Sequence, residues 1–430
     1  MIKPFKVGIA GLGTVGCGVV DILQKNGNAI NARAERPVEI VAVSARTRDK
    51  KRDIDISTYD WVDSPIELAT RADIDCVIEV MGGEEGAALE LVRAALRNGK
   101  HVITANKAML AHHGYQLALL AEEKDLALSY EAAVAGGIPV IRAIREGLSP
   151  NSIQSVHGIL NGTCNYILTQ MRTSGRSFDE VLKEAQAKGY AESDPTFDID
   201  GIDTAHKLSL LVALLFGVIP DFPSLDAEGI RAVTSADIKA ADALGYKIKL
   251  LGSARKLRDG TIAQMVAPAL VAHDSRMAGV EGVFNAVMVE GDYVGKVMLE
   301  GRGAGGGPTA TSIVADLTDL ARGEYRPIFG IPAKDLPQVV RVGLEGIEAP
   351  YYISIHMADG DTLLPQIEGV LADKGVVVKK IFRHESEDDR ETHIAFITAE
   401  TGKTVLDEAL AGIRDMSDHI SVPLALRIEG

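Results

Sequence analysis

Positive charge, cysteine and long apolar runs are all scarce in this sequence, and each scarcity closes off a class of function. Forty-five lysines and arginines stand against 60 aspartates and glutamates, a formal net charge of −15. A surface of that sign repels phosphate backbones and anionic headgroups, so neither nucleic acid nor a membrane surface is expected as the main partner. Three cysteines, Cys17, Cys76 and Cys164, cannot make a disulfide framework. That usage points to a reducing, cytoplasmic setting. No apolar run reaches the ~20 residues of a membrane span. The N-terminus runs straight into an apolar strand at Lys6 to Ala10, with no signal-peptide core before it.

What is present suits an enzyme of several domains. A chain of 430 residues predicts two or three domains, and 46% hydrophobic content is ample for their cores. The 43 glycines cluster where a backbone would have to approach a ligand closely. The first cluster, Gly11-Leu12-Gly13-Thr14-Val15-Gly16, follows a strand and opens a helical pattern. In that context G-x-G-x-x-G gives a tight turn and lets a pyrophosphate sit on a helix N-terminus. The second strand, Val38 to Val43, ends in Ser44-Ala45-Arg46-Thr47-Arg48, without the acid that usually holds the ribose of NAD. Arg46 and Arg48 favour NADP, with NAD as the alternative, since in some such sites an arginine excludes the 2′-phosphate. Strands at 76–80, 101–104 and 126–131 alternate with helices at 87–98 and 108–124, which predicts a parallel, doubly wound sheet. Lys107 sits at the carboxyl end of one of these strands, on the side where ligands bind. His112 and His113 are neighbours whose side chains diverge on a helix, so they read as ordinary helix residues.

Beyond residue 131 the pattern changes. Glu131 to Pro139 is small, apolar and rich in glycine, and such a loop offers backbone carbonyls to a hard cation or serves as a domain crossover. An α+β segment with a largely antiparallel sheet follows. Cys164, in Asn161-Gly162-Thr163-Cys164-Asn165, has no histidine in an activating pattern, so it reads as packing or a contact on the cofactor side. The densest chemistry lies between Gly189 and Leu211. Glu192, Asp194, Asp198, Asp200 and Asp203 precede a helix that is apolar on almost every side. Asp203 and Lys207 share one face of that helix at i,i+4. A charged pair there is costly unless it is paired or functional, and chemistry is the favoured reading. Asp194, Asp198 and Asp200 suit the positive helix entry. Gly301 to Thr309 is a second glycine cluster, read as a lid or wall over the cofactor ahead of a helix from about Thr309. Prolines then mark a linker, and the last eighty residues follow a βαββαβ order, a ferredoxin-like module.

These motifs together resemble the homoserine dehydrogenases of the longer bacterial type, which carry a C-terminal ACT domain. The resemblance rests on GLGTVG, TANKAML, EAAVAGGIP, NGTCNYIL, GYAESDPTFDIDGIDTAHKL and GRGAGGGPTA, in the family's order. It implies NAD(P)-dependent interconversion of L-aspartate 4-semialdehyde and L-homoserine, on the way to threonine, methionine and isoleucine. It implies Lys207 as proton donor, with its pKa lowered by burial, and Lys107 as a second lysine near substrate and nicotinamide. Glu192 and Asp203 would hold the substrate's amino-acid end and order the site. Gly189 and Gly305 would contact the cofactor through their backbones. Glu131, Val134, Gly136 and Ile138 would cage a monovalent cation, sodium by the family pattern. The domains expected are 1–131 for nucleotide binding, 132–325 for catalysis and dimerisation, 326–350 as linker and 351–430 as ACT module. A homodimer or homotetramer is expected, with threonine as a possible effector. The turn Asp359-Gly360-Asp361-Thr362 lacks the proline common in amino-acid-binding ACT domains, which weighs against threonine control. Two other classes fit less well: a sensing protein without turnover, since Glu192 and Lys207 are intact, and a dehydrogenase acting on an imine, against which the GYAESDP…DTAHK segment argues.

Overall fold

The computed structural model describes residues 2–358, 360–385, 392–417 and 420–429. Asp359, the first residue of the turn discussed for the C-terminal module, lies outside the described residues.

The chain begins with β1 (Phe5–Ala10), α1 (Thr14–Arg33), β2 (Val38–Ser44), β3 (Asp60–Trp61), α2 (Ile66–Thr70), β4 (Cys76–Glu79), α3 (Ala87–Arg97), β5 (His101–Thr104), α4 (Lys107–Glu123) and β6 (Leu128–Ser129). These six strands pair in parallel in the order β3-β2-β1-β4-β5-β6. Val7, Ile9, Val77 and Ile78 are fully buried, as strands covered by helices on both faces must be. The order reverses between β1 and β4, so a crevice opens at their carboxyl ends.

After a short α5 (Val140–Arg142) come β7 (Ile153–Ile159), α6 (Gly162–Ser174), α7 (Phe178–Ala187), α8 (Thr196–Ile199), α9 (Ile202–Phe216) and α10 (Ser235–Leu244). Long antiparallel strands follow: β8 (Tyr246–Lys256), β9 (Ile262–Ala272), β10 (Phe284–Gly291) and β11 (Gly295–Arg302). Helix α11 (Gly306–Arg322) starts within the second glycine cluster, three residues earlier than its composition suggests. Its apolar face does not stay with the preceding segment. Ala310, Ile313, Leu317 and Leu320 join the core formed by Phe5, Val7, Val19 and Val20. The nucleotide-binding layer is therefore completed by a helix from the far end of the central segment, and packing does not follow the chain boundary at residue 131.

The last part comprises β12 (Arg341–Val342), β13 (Tyr351–Met357), α12 (Gly360–Asp373), β14 (Val378–Glu385), β15 (Thr392–Thr398), α13 (Lys403–Arg414) and β16 (Leu424–Glu429). From β13 onward this is the expected βαββαβ order. Its strands do not stand apart. Arg427, Ile428 and Glu429 of β16 pair in parallel with Ala269, Leu270 and Val271 of β9. The result is one ten-stranded sheet, β11-β10-β7-β8-β9-β16-β13-β15-β14, with β12 also on β9. Amphipathic alternation specifies each strand, but not which edge it meets, and two edges pair here because an uncovered edge is costly.

Candidate active site

The first glycine motif is shaped by contacts that only glycine permits. Gly11 has φ +107°, and a Cβ there would lie 2.6 Å from the Val80 carbonyl oxygen. A Cβ on Gly16 would lie 1.9 Å from the Gly11 oxygen. Gly13 has nothing within 4 Å of its Cβ position, so it is open on the side where a pyrophosphate would come. Thr14 and Val15 form the first turn of α1. Gly11, Leu12 and Gly13, ahead of that turn, line a cavity of about 550 Å³ together with Arg46, Thr47, Lys50 and Arg52. Arg46 is thus where its position in the sequence placed it. Lys50 and Arg52 add positive charge that the motif reading missed. Arg52 is fixed by the carbonyls of Leu12 (3.3 Å), Arg48 (3.0 Å) and Thr47 (2.7 Å) and is the staple of this loop.

At the end of β4 the buried Glu79 accepts from Thr104 Oγ1 (2.6 Å) and from the amides of Met81 (2.7 Å) and Gly82 (3.2 Å). It therefore ties two adjacent strand ends to the loop above them. Asn106 caps α4 through Met109 N (3.1 Å) and donates to the Gly83 carbonyl (2.5 Å). This network sets the direction of Lys107, the first residue of α4. Glu79 has no sequence signal beyond an acid at a strand end.

The other side comes from α9. Gly201 supplies the left-handed N-cap of this helix at φ +83°. Lys207 donates to Asp203 Oδ2 and to the Leu160 carbonyl, both at 2.7 Å. Lys107 Nζ lies 3.2 Å from Asp203 Oδ1. Asn161 Nδ2 donates to Asp203 Oδ2 and to Asp198 Oδ1, both at 2.9 Å. One buried carboxylate thus holds both lysines, one on each oxygen. Burial would raise the Asp203 carboxyl, but the two ammoniums, Lys207 foremost, overcome this and hold it well below the usual carboxylate range. The charge of Asp203 in turn raises Lys107 above its ordinary value against the opposing effect of burial, with smaller contributions from Asp198 and Glu192. At Lys107 the counter-charge outweighs burial because it is close and shares the same low-dielectric site.

Glu192 is exposed, and its charge reaches Lys107. Gly189 ends α7 with φ +71° in the loop that carries Tyr190 and Glu192. Tyr190 accepts from Thr163 Oγ1 at 2.6 Å, which pins that loop to the start of α6. Cys164 is buried, its thiol is pushed well up by burial, and its Sγ points at the Asp198 carbonyl (3.2 Å). Its full burial suits the packing side of the packing-or-cofactor-contact reading. Asp200 pairs with Arg231 across the surface, and Asp194 caps Thr196 N at 3.1 Å.

The two glycine-rich loops meet each other. Gly137 N donates to the Arg302 carbonyl (3.0 Å). A Cβ on Gly136, at φ +53°, would lie 2.3 Å from the Gly303 oxygen. Gly305 then caps α11 at φ +110°, and Gly306 approaches Thr14 closely enough that its Cβ would lie 2.8 Å from the Thr14 oxygen. The second cluster is a wall beside the first glycine turn, and close backbone packing explains its composition. Ala135 also has positive φ, 58°. Gly136 O accepts from Ser312 (2.7 Å) and Ile138 O from Val140 N (2.7 Å). The Glu131 carboxylate is taken up by the amides of Ile141 (2.8 Å) and Arg142 (2.9 Å). With that carboxylate taken up, Glu131, Val134, Gly136 and Ile138 would offer a cation their backbone oxygens, of which those of Glu131, Gly136 and Ile138 each already accept one hydrogen bond; hard oxygen donors suit an alkali ion. Beside them, Asp316 accepts from Glu131 N (3.0 Å). Its carboxyl is pushed up to about 7, by burial first and by Glu131 second. A positive ion nearby would relieve that pair of buried acids.

Two family models match the sequence: homoserine dehydrogenase over residues 139–318, and the NAD binding domain of homoserine dehydrogenase over residues 11–131. A homoserine dehydrogenase of Pseudomonas aeruginosa is 43% identical across 100% of this chain and 99% of its own length. One from Neisseria gonorrhoeae is 40% identical across 99% and 98%. Among solved structures, a homoserine dehydrogenase from Thiobacillus denitrificans aligns with a TM-score of 0.91 at 39% identity, covering 99% of this chain and 98% of that one. A hyperthermophilic archaeal homoserine dehydrogenase in complex with NADPH aligns at 0.64 and 26% identity, covering 76% of this chain and 100% of that one.

Proposed function

The chain belongs to the homoserine dehydrogenase family, and on that premise we propose that Lys207 delivers the proton while Asp203 orders Lys207 and Lys107 around the reacting oxygen. The enzyme is an oxidoreductase that interconverts L-homoserine and L-aspartate 4-semialdehyde with a nicotinamide cofactor. The observation that carries the assignment of roles is the single buried carboxylate bridging both ammoniums.

When bound, the nicotinamide supplies or accepts the hydride at the substrate carbon. In the reducing direction negative charge grows on the aldehyde oxygen, and an ammonium within reach stabilises it and gives it a proton. Lys207 is held from two sides by Leu160 and Asp203, so its third proton is the one to transfer. Lys107, a third exposed on its side chain, faces the cleft and takes the substrate end. Asp203 has both oxygens committed to lysines and Asn161, so the substrate's ammonium falls to Glu192 with Asp198 behind it.

Arg46, Lys50 and the open Gly13 support NADP as the preferred cofactor, and the carbonyls of the 131–138 loop support a sodium-class ion as a structural cation. Assembly to at least a dimer, and threonine as an effector of a C-terminal ACT module, belong to the same reading; light scattering and a threonine titration test them. No described helix is long and apolar enough to cross a membrane. The decisive experiment is Lys207→Ala assayed with homoserine and each cofactor. It should lower kcat by roughly 10²–10⁴, the range for a lost general acid. Near-normal turnover would transfer the proton to Lys107.

A further inference from the structure

Beside the lysine pair, and outside it, three metal-ligating side chains converge. Glu84, His112 and His206 each bring one ligand atom to within 4.8 Å of the others. They come from three segments: the loop after β4, helix α4 and helix α9. His112 Nε2 lies 3.4 Å from Glu84 Oε2. The rings of His112 and His206 meet edge to face with centroids 5.5 Å apart.

His206 makes this cluster more than a chance meeting. It is 2% exposed, yet among the described residues neither its Nδ1 nor its Nε2 has a hydrogen-bond partner. A buried polar nitrogen left unpaired keeps its full desolvation penalty with nothing to offset it. The rings of Phe222 and Phe197, at 4.2 and 5.4 Å, close two of its sides without offering it a polar atom. The remaining direction leads to His112 and Glu84. Burial first, and the neighbouring His112 second, push the His206 imidazole down to about 4, so it is neutral near pH 7 and in the form that binds metal.

A comparable group elsewhere lacks that feature. Asp237, His356 and His393 also lie close together. There, however, Asp237 holds Tyr352 and Thr234, and His393 holds Ser354 at 2.8 Å. The Asp237 carboxylate and His393 Nε2 thus have partners within the fold.

We propose that Glu84, His112 and His206 form a binding site for a divalent transition ion of the zinc class, with a fourth position open to water. Two imidazoles and one carboxylate are a zinc-type donor set, whereas magnesium and calcium need more oxygens. Glu84 and His112 are exposed, which gives the ion an entry path and the two side chains room to close on it. The site takes ligands from the nucleotide-binding layer and from α9, one residue before Lys207. A bound ion therefore joins the two walls of the cleft.

The test is a titration of the metal-free, full-length protein with Co²⁺, read by its visible ligand-field bands and by the metal retained after dialysis. One ion per chain is expected, with intense bands of low-coordinate geometry. His112→Ala and Glu84→Gln, both exposed positions, should each weaken binding at least tenfold, and His356→Ala should leave it unchanged. Absence of the bands, a titration indifferent to His112→Ala, or loss of binding only in His356→Ala would each overturn the proposal.

Discussion

Asp203 can act on the substrate directly or only through the lysines, and a double-mutant cycle separates the two. Asp203 is 4% exposed, and its two oxygens already accept from Lys207, Asn161 and Lys107. Asp203→Asn keeps the shape but removes the charge, and sets an amide N–H against one ammonium. Lysine misplacement of ~1 Å is worth on the order of 10² in rate, so Asp203→Asn should lower kcat about a hundredfold while the KM for homoserine moves by less than about threefold. Lys207→Ala should lower kcat by roughly 10²–10⁴. If Asp203 works through Lys207, the double variant has little left to lose and should fall within about tenfold of Lys207→Ala alone. Independent action would instead multiply the two losses, to roughly 10⁴–10⁶. Steady-state oxidation of homoserine at saturating cofactor, with both singles and the double, gives every corner of the cycle. Multiplicative losses, or an Asp203→Asn effect confined to KM, would refute the positioning role.

Other expectations follow from the same geometry. Arg46→Ala should raise the KM for NADP about ten- to a hundredfold relative to NAD, the worth of one charge-assisted hydrogen bond; an unchanged ratio would place the 2′-phosphate elsewhere. Gly136→Ala meets the Gly303 backbone at 2.3 Å with φ +53°, so it should cost more than about 2 kcal/mol. Gly27→Ala, in open space on α1, should be neutral or slightly stabilising, and a comparison of thermal midpoints decides both. Lys249 is buried and held by Asn165 (3.0 Å) and the Val280 carbonyl (2.5 Å), and burial pushes it down to about 8 from 10.5. Its folded value lies below its unfolded one, so between these limits the unfolded chain binds the extra proton and stability rises with pH. The wild type should gain about 3 kcal/mol on Lys249→Met across that window, and a flat difference would show that the lysine is charged in the fold.

Sequence alone settled the parts that depend on local chemistry. A strand, a glycine turn and a helix start are adjacent in the chain, so Gly11, Gly13 and Gly16 declared a nucleotide site without any knowledge of folding. Asp203 and Lys207 are four residues apart on one helix, so their pairing was legible from periodicity alone. The βαββαβ order of the last strands was readable for the same reason. Tertiary structure decided what joins segments far apart in the chain. Periodicity marks a buried face without naming what covers it. It could not show that α11 returns to pack on α1, or that β16 pairs with β9 and fuses two sheets. It could not show that Asn161 links Asp198 to Asp203, or that Glu79 fixes the loop above Lys107. His112 illustrates the limit best. On its own helix it is an ordinary residue beside another histidine. Only the crossing of α4 with α9 sets it against His206, because a helix fixes the direction of a side chain while packing alone chooses what that side chain meets.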